Sequence, residues 1–78
     1  MVHENVERIR IAKGVTKTHI AKRLNLTLQG YRHIASGSVK LDVERLNVIA
    51  QVLGVDSAIF FDVKLTDSVI NSLVISPH

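Results

Sequence analysis

Residues 16 to 37 read TKTHIAKRLNLTLQGYRHIASG, and the rest of the chain is organised around them. Ile20 and Leu24 stand four apart and Tyr31 and Ile34 three apart, so each pair falls on one face of a helix. Asn25, between the pairs, is a residue type that tolerates the left-handed backbone of a sharp turn. Thr16 and Thr27 each precede a helical pattern, where a threonine oxygen accepts from a free first-turn amide. The stretch predicts two short helices joined by a tight turn, burying Ile20, Ala21, Leu24, Leu26, Tyr31 and Ile34. Lys17, Lys22, Arg23, Gln29, Arg32 and His33 are left to face outward.

Upstream, Val6, Ile9 and Ala12 repeat at helical spacing, predicting a first helix over about residues 4 to 13 that Gly14 stops. Glu4 and Arg8 are placed for an i, i+4 ion pair. Downstream, GSVKL at 37 to 41 carries little periodicity and should cross the surface. Asp42 then caps a fourth helix, in which Leu46, Ile49, Ala50 and Leu53 fall at i, i+3, i+4 and i+7. Gly54 ends it, and Asp56 opens a short fifth helix with Ile59 and one of Phe60 or Phe61 turned inward.

The tail, DVKLTDSVINSLVISPH at 62 to 78, supports two readings. Val69, Ile70, Leu73 and Val74 match a helical face opened by Asp67, whereas Val63 and Leu65 alternate as in a strand and the run is rich in β-branched residues. Either way, so apolar a tail should be buried, on its own core or against a second copy. The division expected is a helical domain at 1–61 and a tail at 62–78 that serves as a dimerisation arm.

The 78 residues make one domain, and with no cysteine a disulfide framework and a cysteine-ligated metal site are excluded. No stretch approaches the ~18 apolar residues of a membrane span, and MVHENVERIR lacks the apolar core of a signal peptide; a cytoplasmic protein is expected. His3, His19, His33 and His78 have no second ligand at helical spacing, so neither metal nor cofactor is expected. No nucleophile has a base at a recognisable spacing and no glycine-rich loop follows a strand, so an enzyme is not expected.

Charge is the positive clue. From Arg8 to Lys40 there are eight basic residues and no acid, while all seven acids lie in the flanks. A one-sided block of this kind suits a polyanion, of which the phosphate backbone is the commonest.

With these spacings laid out, the chain resembles the phage-repressor and Cro proteins of the helix-turn-helix class, the XRE family, from about Val6 to Phe61. The resemblance is carried by Arg10, KGVT at 13 to 16, IA at 20 and 21, the turn NLT, IASG at 34 to 37, and ERLNVIAQVLGVD followed by IFF. Three positions depart from the pattern. Asn25 stands where many members have glycine, and Lys17 where many have glutamine. Ala35 stands where many have a glutamate that pairs with the arginine equivalent to Arg10, which leaves Arg10 to find another partner or remain solvated.

The resemblance implies an all-α, five-helix, lambda-repressor-like domain with an apolar C-terminal tail, strand or short helix. It implies that the third helix enters the major groove while the second crosses the backbone. Thr27, Leu28, Gln29, Arg32 and His33 are then the candidates for base edges: Gln29 for adenine or as a donor to guanine, Arg32 for guanine and Leu28 for a thymine methyl. Gly30 would allow close approach to the groove. Thr16, Lys17, Thr18, Ser36, Ser38 and Lys40 are candidates for phosphate. Phe60, Phe61, Val69, Ile70, Leu73, Val74 and Ile75 are candidates for dimerisation. Tyr31 takes an apolar position and is read as core.

The function expected is a sequence-specific regulator, a phage or prophage repressor binding a two-fold operator in double-stranded DNA as a homodimer. The alternatives are a protein-interaction module, such as an antirepressor or accessory subunit, and an antitoxin on the same fold with a toxin partner.

Overall fold

The computed structural model describes residues 1–74. They form α1 (Val2–Ala12), α2 (Lys17–Arg23), α3 (Leu28–Ala35), α4 (Val43–Leu53), a 3-10 turn (Ser57–Phe61) and α5 (Val63–Val74). Among the described residues there is no strand, and the domain is all-helical.

The first four helices stop in the same way. Gly14, Asn25, Gly37 and Gly54 each have positive φ, from 57° to 81°. Beyond each, an amide reaches back five residues to a helix carbonyl: Val15 to Arg10, Leu26 to Ala21, Ser38 to His33 and Val55 to Ala50, at 2.9 to 3.1 Å. This pairing satisfies carbonyls that the helix end leaves free. It also folds Val15, Leu26 and Val55 back against the core. Asn25, at φ 57°, is the one residue other than glycine to take this conformation among the described residues.

Helix starts are fixed by side-chain oxygens. Thr16 accepts from the His19 amide at 3.1 Å, Thr27 from Gly30 at 3.0 Å and Asp42 from Arg45 at 2.8 Å. Each is worth about 1 kcal/mol over alanine. These boundaries agree with the sequence reading to within one or two residues, except that α1 begins at Val2 rather than near residue 4.

The core is one cluster. Ile9 of α1, Ile20 of α2, Tyr31 of α3, Ile49 of α4 and Phe60 of the 3-10 turn are all fully buried. Each such side chain contributes roughly 1.5 to 3 kcal/mol by leaving water. The 3-10 turn resolves the choice between adjacent phenylalanines, with Phe60 enclosed and Phe61 66% exposed.

The tail is a helix, opened by Asp62 and not by Asp67. The Asp62 carboxylate accepts from the amides of Lys64 and Leu65 at 2.8 and 3.2 Å. One turn on, buried Thr66 donates to the carbonyl of Ile59 at 2.8 Å, while Val69 and Ile70 pack against the core cluster. Asp67 instead accepts from Arg8 of α1. The expected Glu4–Arg8 pair is therefore absent, because Glu4 takes the N-terminal amine at 3.1 Å and Arg8 turns to α5. A non-local partner has replaced the i, i+4 one.

Candidate nucleic-acid interface

Helix α3 has two distinct faces. Tyr31 and Ile34 are buried, and Leu28, Gly30 and Ala35 are half-buried beside them. Gln29, Arg32, His33 and Ser36 are exposed on the opposite side, as spacings of three, four and seven residues require. The sequence candidates Gln29, Arg32 and His33 thus share one solvent-facing stripe, with Thr27 at its head. Leu28 lies at the edge of that stripe.

Gly30 faces elsewhere. A Cβ built on it would lie 3.4 Å from Thr27 Oγ1 and 3.5 Å from Leu26 Cβ, in ordinary contact with its own turn. The helix phase thus turns Gly30 towards the Leu26–Thr27 turn that precedes α3 and off the exposed stripe.

Both threonines at the helix starts use their oxygen as an acceptor. Each hydroxyl hydrogen stays available to a second acceptor, since a hydroxyl both accepts and donates. Thr18 and His19 are exposed beside Thr16, and Lys17 is half-buried. Ser36 and Ser38 are differently placed. Ser36 Oγ donates to the His33 carbonyl at 3.1 Å and lies 2.9 Å from Ser38 Oγ. In that arrangement Ser38 must donate to Ser36, so a phosphate contact from either serine requires exchange of a bond already made. Lys40, in the following loop, is exposed.

The charge block sorts into two groups. Arg8 is tied to Asp67 and Arg10 to Glu7. Lys13, Lys17, Lys22, Arg23, Arg32 and Lys40 are in none of the ion pairs among the described residues. The cations of the block that lie outside these ion pairs therefore concentrate around α2, α3 and the loop after α3.

Arg10 has a partner that the sequence reading missed. Its Nε donates to Glu7 Oε2 at 2.8 Å and its Nη2 to Glu7 Oε1 at 2.9 Å, a two-pronged pair. Its Nη1 donates to the Val15 carbonyl at 2.7 Å, and the Tyr31 hydroxyl donates to Glu7 Oε2 at 2.6 Å. Burial pushes the Glu7 carboxyl up. The hydrogen bonds from Arg10 and Tyr31 and the charges of Arg10 and Lys17 outweigh that and hold it below its ordinary value. Tyr31 is pushed well above the usual phenol range, first by burial and then by its bond to the Glu7 carboxylate. The signal available in sequence was the i, i+3 spacing of Glu7 and Arg10.

Of the dimerisation candidates, Phe60 is corrected: fully buried between helices, it is not on the surface. Phe61 and Leu73 are exposed, at 66% and 43%, while Val69 and Ile70 are partly covered by the domain's own core. The side chain of Val74 and all of Ile75 lie outside the described residues.

A family model described as Helix-turn-helix matches residues 6–60. The chain belongs to the XRE-type helix-turn-helix family. No curated protein and no solved structure matches it. Membership makes this helix-turn-helix protein a DNA-binding transcriptional regulator, and α2 and α3 supply the two helices for which the family is named. Among the described residues, no helix is long and apolar enough to cross a membrane, and no group of three or more His, Asp or Glu side chains is arranged to hold a metal ion.

Proposed function

We propose that this helix-turn-helix protein is a cytoplasmic repressor of phage or prophage type that binds a two-fold operator as a homodimer. The observation that carries the reading is the outward stripe of α3, where Gln29, Arg32 and His33 stand exposed amid cations that are in none of the ion pairs among the described residues. Gln29 presents the paired donor and acceptor that suit adenine N6 and N7, and Arg32 the fork that suits guanine O6 and N7. Thr27 and Leu28 contact the bases at the head of α3. Thr16, Lys17, Thr18 and Lys40 hold phosphates, with Ser36 and Ser38 joining them once their mutual bond is exchanged; these contacts set the register without reading sequence.

Exposed Phe61 and Leu73 support association through the 3-10 turn and α5. The same apolar residues favour the second reading, in which they engage a toxin or another regulator rather than a second copy.

Selection of duplexes from a random pool by the full chain, followed by salt titration of the enriched duplex, tests the proposal. The expected result is a site with inverted half-sites about one helical turn, ~34 Å, apart, and an affinity that falls steeply with salt. A pool with no enriched sequence, together with salt-insensitive capture of a protein partner, would reject it.

A further inference from the structure

The Glu7 carboxylate is a junction between three segments. It sits on α1, grips Arg10, which holds the Val15 carbonyl at the entry to α2, and receives the Tyr31 hydroxyl from α3. The Arg10 and Glu7 side chains are only 11% and 17% exposed, so water competes weakly for these bonds. Tyr31 is the residue of α3 that reaches this junction, and Arg32 and His33 follow it directly on the outward face.

This arrangement is not needed to bury α3. Ile34 and the ring of Tyr31 already do that, and a buried ion pair adds little net stability over apolar packing of the same shape. What packing alone leaves soft is the roll of the helix about its own axis. Side-chain tips stand about 5 to 6 Å from a helix axis, so a roll of roughly 10° moves them by about 1 Å. A hydrogen bond to a base edge has a working range of only about 0.5 Å in length. A tether at the far end of the Tyr31 ring has the leverage to remove that freedom.

We propose that Glu7, Arg10 and Tyr31 are positioning residues for sequence discrimination: the Tyr31 hydroxyl, held on the Glu7–Arg10 pair, fixes the roll of α3 and hence the aim of Gln29, Arg32 and His33. The inference rests on the base-reading role proposed above for α3. Phosphate contacts, which tolerate small shifts and come from α2 and the loops, are little affected by a roll of α3.

The test uses the full chain, the duplex enriched by the wild-type protein and a scrambled duplex of the same length. Tyr31→Phe keeps the ring and removes the tether. It is expected to lower the ratio of scrambled to enriched Kd about tenfold, with affinity for the scrambled duplex within about twofold of wild type. Glu7→Leu, which removes the acceptor, is expected to lower the ratio in the same way. Ile34→Val is the control for general loosening, since it destabilises the same face of α3 without touching the tether; its ratio is expected to stay within about twofold of wild type.

An unchanged ratio in folded Tyr31→Phe, against a high wild-type ratio, would overturn this inference alone. So would an Ile34→Val ratio as low as that of Tyr31→Phe, or unfolding of Tyr31→Phe in far-UV circular dichroism, which would make the network a support of the fold itself. A wild-type ratio near one would overturn the base-reading role and this inference together.

Discussion

The side-chain amide of Asn5 donates to the backbone carbonyl of Phe60 at 2.8 Å, across 55 positions of sequence and out of reach of solvent. It joins the first turn of α1 to the 3-10 turn, at the residue whose ring closes the core. Asn5→Leu would leave that carbonyl without a partner, and an unsatisfied buried acceptor costs about 1 to 3 kcal/mol. Urea unfolding should show a lower midpoint with unchanged slope.

Acid should weaken the domain through Glu7. Its folded pKa lies below the ordinary 4.5, so its contribution is fully present above that value. It is lost as pH falls from 4.5 through the lowered folded value, because the unfolded chain takes up the proton first. Tyr31→Phe removes one of the bonds that hold the carboxylate ionised, and so should flatten the acid limb of a stability-against-pH curve.

Gln29 and Lys17 should separate by readout. Gln29→Ala is expected to lose about 1 to 3 kcal/mol on the selected duplex and to relax preference at one base pair. Lys17→Ala should weaken selected and random duplexes alike and reduce the salt slope by about one. Equal losses on both duplexes for Gln29→Ala would remove it from the reading set.

Asn25 should tolerate glycine better than alanine. At φ 57° any Cβ is crowded by the following carbonyl, at about 1 to 2 kcal/mol, and alanine keeps that crowding while losing the short polar side chain with which asparagine offsets it. Glycine avoids that clash and loses only the backbone entropy of a freer unfolded chain, about 0.5 to 1 kcal/mol. Thermal melts of Asn25→Ala and Asn25→Gly should therefore rank in that order of damage.

Two ties hold α5, and they should differ in weight. Arg8 and Asp67 are 42% and 45% exposed, so Arg8→Ala should cost about 0 to 1 kcal/mol and less in high salt. Thr66 is fully buried and its hydroxyl serves the Ile59 carbonyl. Thr66→Val leaves that carbonyl the Asp62 amide at 3.2 Å, so it should cost about 0.5 to 1.5 kcal/mol, the same at any salt concentration.

The helix-turn-helix frame was legible because its signals are local. Thr16, Thr27 and Asp42 announce helix starts, Asn25 and Gly54 announce stops, and the apolar spacing in α4 marks its buried face. Each involves residues within a few positions of one another, and backbone sterics and capping act over that range. The acid-free run from Arg8 to Lys40 likewise needed no coordinates to suggest a polyanionic partner.

The errors share the opposite character. Spacing matches Arg8 to Glu4, but the fold brings Asp67 to it. With Ala35 in place of a glutamate, spacing leaves open whether Arg10 is paired or solvated, and the fold decides it: Glu7, one turn away, takes Arg10, and Tyr31 arrives from α3 to complete the junction. Helical spacing could not say which phenylalanine faces inward, because a five-residue 3-10 turn has too little length for a periodicity.

By itself, then, the sequence determined the two short helices from Thr16 to Gly37, their caps, their turn and their cationic exterior. Tertiary structure alone decided the helical state of residues 63 to 74, the burial of Phe60 and the tether on which α3 rests. The physical reason is range: caps, turns and amphipathic faces follow from neighbours along the chain, whereas the partner of a half-buried charge or hydroxyl is whatever group the packed helices bring beside it.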